Sequence, residues 1–130
     1  MSRKFTAEER AAMKAAMQDA EGEKAVKEAL AKMAPSDRAL GKKVHALVRK
    51  AAPGLTPRTW YGMPAYANSD GKVVVFFRDA GKFKERYSML GFNEAANLDN
   101  GSMWPIAYAL PKLAKADEAK IAKLVEQAVS

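Results

Sequence analysis

Ten of the eleven aromatic residues lie between Trp60 and Tyr108, and the eleventh, Phe5, stands apart near the start of the chain. That asymmetry constrains the fold more than any other feature. Aromatic and β-branched side chains suit the pleated, half-buried surface of a sheet. The first 34 residues are instead rich in Ala, the strongest helix former. A helical first third followed by a strand-rich middle predicts an α+β fold. The 130 residues suffice for one domain with its own core.

Local signals fill in the order. Thr6 and Glu9 form a capping-box pattern ahead of a stripe at Ala12, Met13, Ala16, Met17 and Ala20. Gly22 interrupts, and Val26, Ala29, Leu30 and Met33 resume out of phase, which predicts two helices or a kinked one. Pro35 closes the segment. Ser36 is the expected cap of the next helix, which runs to about Ala52 with Leu40, Val44, Leu47, Val48 and Ala51 facing the core. Four strands are expected: Arg58 to Ala67, Lys72 to Arg78, Arg86 to Phe92 and Trp104 to Leu110. Asn68-Ser69-Asp70-Gly71 predicts the first hairpin turn. Val73 to Phe77 is apolar on both faces, which predicts a central strand covered on both sides. A final helix is expected from Asp117, with Ile121, Leu124, Val125 and Ala128 inward. The reading is an antiparallel sheet of about four strands packed by helices on one face. Residues 1–34 form a helical extension and residues 35–130 the α+β domain.

Composition excludes several functions. There is no Cys and a single His, so thiolate sites, disulfides and paired-His metal motifs are ruled out. No stretch resembles a secretory signal or a membrane span, which points to a cytoplasmic protein without a membrane partner. No nucleophile elbow, phosphate loop or dinucleotide glycine pattern occurs, so the chain reads as non-enzymatic. His45 has no carboxylate at helical spacing to orient it and reads as a plain surface histidine. The Asn93 to Met103 stretch carries Glu94, Asp99 and several Asn side chains, which turn chemistry explains without an ion.

Two surfaces stand out as binding candidates. Trp60, Tyr61, Met63, Pro64, Tyr66, Trp104 and Tyr108 combine apolar bodies with polar tips around Gly62, where Pro64 marks a sheet edge or a bulge. They are the candidate groove for a small ligand or a protein. Arg38, Lys42, His45 and Arg49 recur at spacings of four, three and four, and so line one helix face. The formal net charge is +7, and residues 35–57, with five bases and one acid, contribute +4 of it. That face is the candidate for anions, including nucleic acid, although a solvated helix face accounts for it more simply.

Trp60-Tyr61-Gly62-Met63-Pro64-Ala65-Tyr66 resembles the aromatic-Gly-Met-Pro signature of the YdhG-like domains. Lys72 with its apolar strand, Lys82-Phe83-Lys84, the strand Tyr87 to Phe92 and the terminal helix extend the resemblance. Phe5 to Lys14 resembles an extension in one branch of that family. The resemblance implies a frataxin-like sheet with helices on one face. One branch is associated with an iron chaperone role, which would make iron the cargo. Charge argues against copying that role: where a frataxin-type site would need carboxylates, the helix from Ser36 to Ala52 carries Arg38, Lys42, Lys43, Arg49 and Lys50 against Asp37 alone. No resident cofactor is expected. A chaperone-like or ligand-binding domain, monomeric or homodimeric, is the leading reading.

Overall fold

The computed structural model describes residues 4–130. Helix α1 (Ala7–Ala31) and helix α2 (Pro35–Ala51) precede strands β1 (Thr56–Trp60), β2 (Met63–Ala67) and β3 (Val73–Arg78). A helical turn α3 (Ala80–Phe83), strands β4 (Ser88–Phe92) and β5 (Ala107–Leu110) and helix α4 (Lys115–Ala128) complete the chain. The five strands form one antiparallel meander in the order β1-β2-β3-β4-β5. The α+β class is therefore as expected, with one strand more than anticipated.

The extra strand comes from splitting Arg58 to Ala67. Tyr61 (φ 52°) and Gly62 (φ 75°) both adopt the left-handed region and make a two-residue hairpin turn between β1 and β2. Gly62 thus serves the turn, whereas the sequence suggests an edge or a bulge at Pro64. Trp60 pairs with Met63 across it, and Thr59 with Pro64. The pair that closes such a turn is hydrogen-bonded and the next is not, so the Pro64 nitrogen owes no bond to β1. The bulge lies further on, where Tyr66 faces Val75, Ala67 faces Val73, and Val74 is the extra residue.

Helix α1 runs unbroken through Gly22, contrary to the expected kink. A Cβ on Gly22 would stand 1.7 Å from the Pro57 carbonyl oxygen, so the glycine lets α1 lie directly on the β1 backbone. Pro35 occupies the first turn of α2, and Ala34 stands at the cap without a side-chain bond, so Ser36 is not the cap. Thr6 and Glu9 do form the reciprocal capping box of α1. The last helix starts two residues before Asp117, whose carboxylate accepts from the Ala114 N–H at 2.9 Å.

Register sorts the sheet into two faces. Tyr66, Val75, Phe77, Leu90, Phe92 and Leu110 point inward and pack with Val26 and Leu30 of α1, Val44 and Val48 of α2, and Ile121 and Val125 of α4. The boundary at residue 34 falls in the turn between α1 and α2, and Val26, Leu30 and Met33 lie within this same core. The outward face carries two rows. Arg58, Ala65, Phe76, Gly91 and Ala107 form one across all five strands. Trp60 and Met63, together with Arg78, Met89 and Ala109, form the next. β3 is indeed central, but its outward side has only neighbouring side chains over it.

Candidate functional site

The buried network on the helix side comes first, because it holds the only histidine. His45 lies inside, at 9% exposure, and is not a surface residue. Its Nδ1 is 2.7 Å from the Tyr66 hydroxyl. Its Nε2 is 2.7 and 2.9 Å from the two carboxylate oxygens of Glu23. A carboxylate only accepts, so Nε2 carries the hydrogen toward Glu23, and Nδ1 shares its bond with the Tyr66 hydroxyl. The orienting carboxylate comes from α1, 22 residues away, and no spacing within α2 reveals it. Arg49 donates to Asp19 through both terminal nitrogens, at 2.7 and 3.1 Å, and to the Leu55 carbonyl at 3.1 Å.

A carboxylate, an imidazole and a hydroxyl in series have the order of a nucleophilic triad. Tyr66, however, is 0% exposed, so no substrate reaches its oxygen. Burial pushes its hydroxyl well above the ordinary tyrosine range, the Glu23 charge adds to this, and Arg49 opposes it. The network is best understood as a satisfied polar link joining α1, α2 and β2.

The four basic-stripe residues therefore separate. His45 and Arg49 are turned onto the acids of α1. Arg38 donates to the Met33 carbonyl at 3.0 Å, close to the end of α1. Of the four, only Lys42 is exposed. Asp19 and Glu23 are correspondingly committed to Arg49 and His45. Among the described residues, no three of His, Cys, Asp or Glu are placed to hold a metal ion.

The seven groove residues also separate, and the division follows the two faces. Trp60, Tyr61 and Met63 share a hollow of about 590 Å³ on the outward face, together with Phe76, Arg78, Phe83, Glu85 and Met89. Met63 lines this hollow from beneath and is itself buried, and Pro64 and Tyr66 are buried on the other face. Trp104 and Tyr108 pack against the core at the far end of the sheet, where Tyr108 meets Phe92 edge-on at 6.3 Å. Phe76, Phe83 and Met89 join the site without having been singled out from sequence. Strand alternation carries the signal for Phe76 and Met89, but it needs the register to be read.

The hollow is built on small residues. A Cβ on Gly91 would stand 2.2 Å from the Phe76 ring, so that ring lies flat across β4. Trp60 leans on Phe76 with ring centroids 5.2 Å apart, and Tyr61 meets Trp60 edge-on at 5.0 Å. Tyr61 is 78% exposed at the turn. Lys82 Nζ donates to the Tyr61 carbonyl at 2.9 Å and holds the turn against α3. The Arg78 guanidinium sits 3.8 Å from the centre of the Phe83 ring and pairs with Glu85. The result is an aromatic surface with a cation at its border, which can receive a flat unsaturated group by stacking.

A second hollow, about 700 Å³, lies between the C-terminal half of α1, the β1–β2 turn and α3. Its walls include Ala25, Ala29 and Ala34, with Lys32 and Lys82 alongside. Asp79 contributes a carboxylate oxygen, Oδ1, that has no partner, but that atom is itself buried. The aromatic hollow on the sheet offers more recognition chemistry. Among the described residues no helix is long and apolar enough to cross a membrane. Comparison with protein-family models, with curated proteins and with solved structures finds no match.

Proposed function

We propose that the chain is a small non-enzymatic binding domain of the YdhG-like type, and that its ligand surface is the uncovered face of the sheet. The observation that carries this reading is the Trp60–Phe76 pair, which lies on that face beside a hollow of about 590 Å³ bordered by Phe83 at the end of the short turn α3. Tyr61 is exposed and Trp60, Phe76 and Met89 are partly exposed on that face, with Met63 buried beneath them, and soluble domains seldom leave aromatic surface in water unless it has a use. Flat unsaturated groups suit it, because the rings offer stacking and Met63 and Met89 adapt their shape.

An iron cargo suits these residues less well. Asp19 and Glu23, the carboxylates of α1 that meet α2, already pair with Arg49 and His45. Removing either for a metal would leave a partly buried guanidinium or imidazole without its partner.

The test is a titration of the full chain with a planar aromatic anion, anilinonaphthalene sulfonate, followed through the two indole N–H signals in NMR. The Trp60 signal is expected to move and the Trp104 signal to stay. A shift of Trp104 alone, or of neither, contradicts the proposal.

A further inference from the structure

We infer that the partner of this face is single-stranded nucleic acid, with bases stacked on Trp60 and Phe76 and phosphates held by the basic side chains that border them. The inference deepens the binding reading above and rests on it. It also moves the anion surface from α2 to the sheet.

Three observations support it. The first is the arrangement of rings and cations. Arg58 begins the row that contains Phe76, and Arg78 lies in the row that contains Trp60. Each aromatic thus has a guanidinium in its own row, that of Arg78 also lying over Phe83 and pairing with Glu85. The second is the charge of the segment that builds this face. Residues 58–92, which run from β1 to the end of β4, contain Arg58, Lys72, Arg78, Lys82, Lys84 and Arg86 against Asp70, Asp79 and Glu85, a balance of +3, and Glu94 and Asp99 ahead of β5 bring residues 58–110 to +1. Asp79 is buried, which leaves less negative charge at the surface. Arg58 and Lys72 border a hollow of about 550 Å³ that also includes Trp60 and Glu94, so two cations and one carboxylate adjoin the rings. The third is the floor. Ala107 and Ala109 are exposed beside Gly91, so the outward surface of β5 is low, and Met89 is the one large outward side chain on β4. A strand of nucleotides can lie across it.

Single strands are favoured over duplex on geometric grounds. The rings lie on a sheet surface and do not project as a groove-reading helix, so they can reach only unstacked bases. Stacking tolerates any base, which predicts weak sequence preference. A hydrophobic peptide could use the same rings but would have no need of the cations.

The experiment is fluorescence anisotropy of the full chain with labelled ten-nucleotide oligo-U RNA and oligo-T DNA. Binding is expected to weaken roughly 20- to 50-fold between about 50 and about 200 mM salt, as three or four phosphate contacts imply. Trp60→Ala and Phe76→Ala are each expected to weaken it about tenfold, and Trp60→Phe to restore most of the loss. Arg58→Gln should lower affinity and flatten the salt dependence, whereas Lys42→Gln on α2 should leave both unchanged. Circular dichroism of each variant separates lost binding from lost fold. No binding at low salt, preference for a duplex of the same length, or affinity indifferent to Trp60 and Phe76 overturns the inference. The same samples titrated with anilinonaphthalene sulfonate separate the two levels. If the dye moves Trp60 but the oligonucleotides do not bind, only the nucleic-acid assignment falls. If neither acts on Trp60, the binding face falls with it.

Discussion

The two faces of the sheet use similar residues to opposite ends. Phe76 and Phe77 are neighbours on β3, yet Phe77 is fully buried under the helices while Phe76 lies on the uncovered side. Tyr66 and Tyr61 differ in the same way: one hydroxyl is locked to His45, and the other ring stands in solvent at the turn. Aromatic content alone therefore says little about use. Alternation along a strand decides which ring holds the fold together and which remains free to bind.

The largest expected effects fall on the covered face. Phe77→Ala should cost about 3–5 kcal/mol in urea unfolding, as buried aromatics do. Phe76→Ala should cost about 1 kcal/mol or less, because its ring packs chiefly on Gly91 and Trp60. Equal losses would abolish the contrast between the faces. Gly22→Ala is the next test, and its sign is informative. In an exposed helix that change stabilises by about 1 kcal/mol. Here the Cβ would meet the Pro57 carbonyl, so a loss of about 2–3 kcal/mol is expected.

Tyr66 sharpens the comparison through pH. Its folded-state pKa is raised above the ordinary 10.0, so the folded protein keeps a proton that the unfolded chain releases. The stability this contributes is fully present below about pH 10 and falls by about 1.4 kcal/mol per pH unit above it. Urea midpoints at pH 9 and pH 11 should therefore converge in Tyr66→Phe after subtraction of the background common to both proteins. Tyr66→Phe at neutral pH should cost about 1–2 kcal/mol, since it leaves the buried His45 Nδ1 without its hydrogen-bond partner. The smallest effect is expected at Asp19→Asn. Arg49 and Asp19 are both partly exposed, so losing the pair should cost about 1 kcal/mol or less.

Much of the fold is legible in the sequence because its signals are local. The Thr6 and Glu9 cap, the Asn68 to Gly71 hairpin and the apolar run of β3 each declare themselves within a few residues. The Tyr61-Gly62 turn was obscured because a tyrosine with positive φ is uncommon, and Trp60 and Met63 on either side read as a continuous strand. Gly22 looked like an interruption because its role depends on Pro57, 35 positions away. The site was less legible still. His45 looked like a member of a basic stripe because Glu23 and Tyr66 approach it only in three dimensions. Trp60, Tyr61 and Met63 were recognised as a group, but Tyr66 belongs to the other face, and only the strand register separates them.

The measurement that bears most directly on the central claim is a methyl NMR titration of the full chain with anilinonaphthalene sulfonate. Shifts are expected at the Met63 and Met89 methyls on the outward face and none at Val44 and Val125 beneath it. Shifts at Val44 and Val125 with Met63 and Met89 unmoved would contradict the claim.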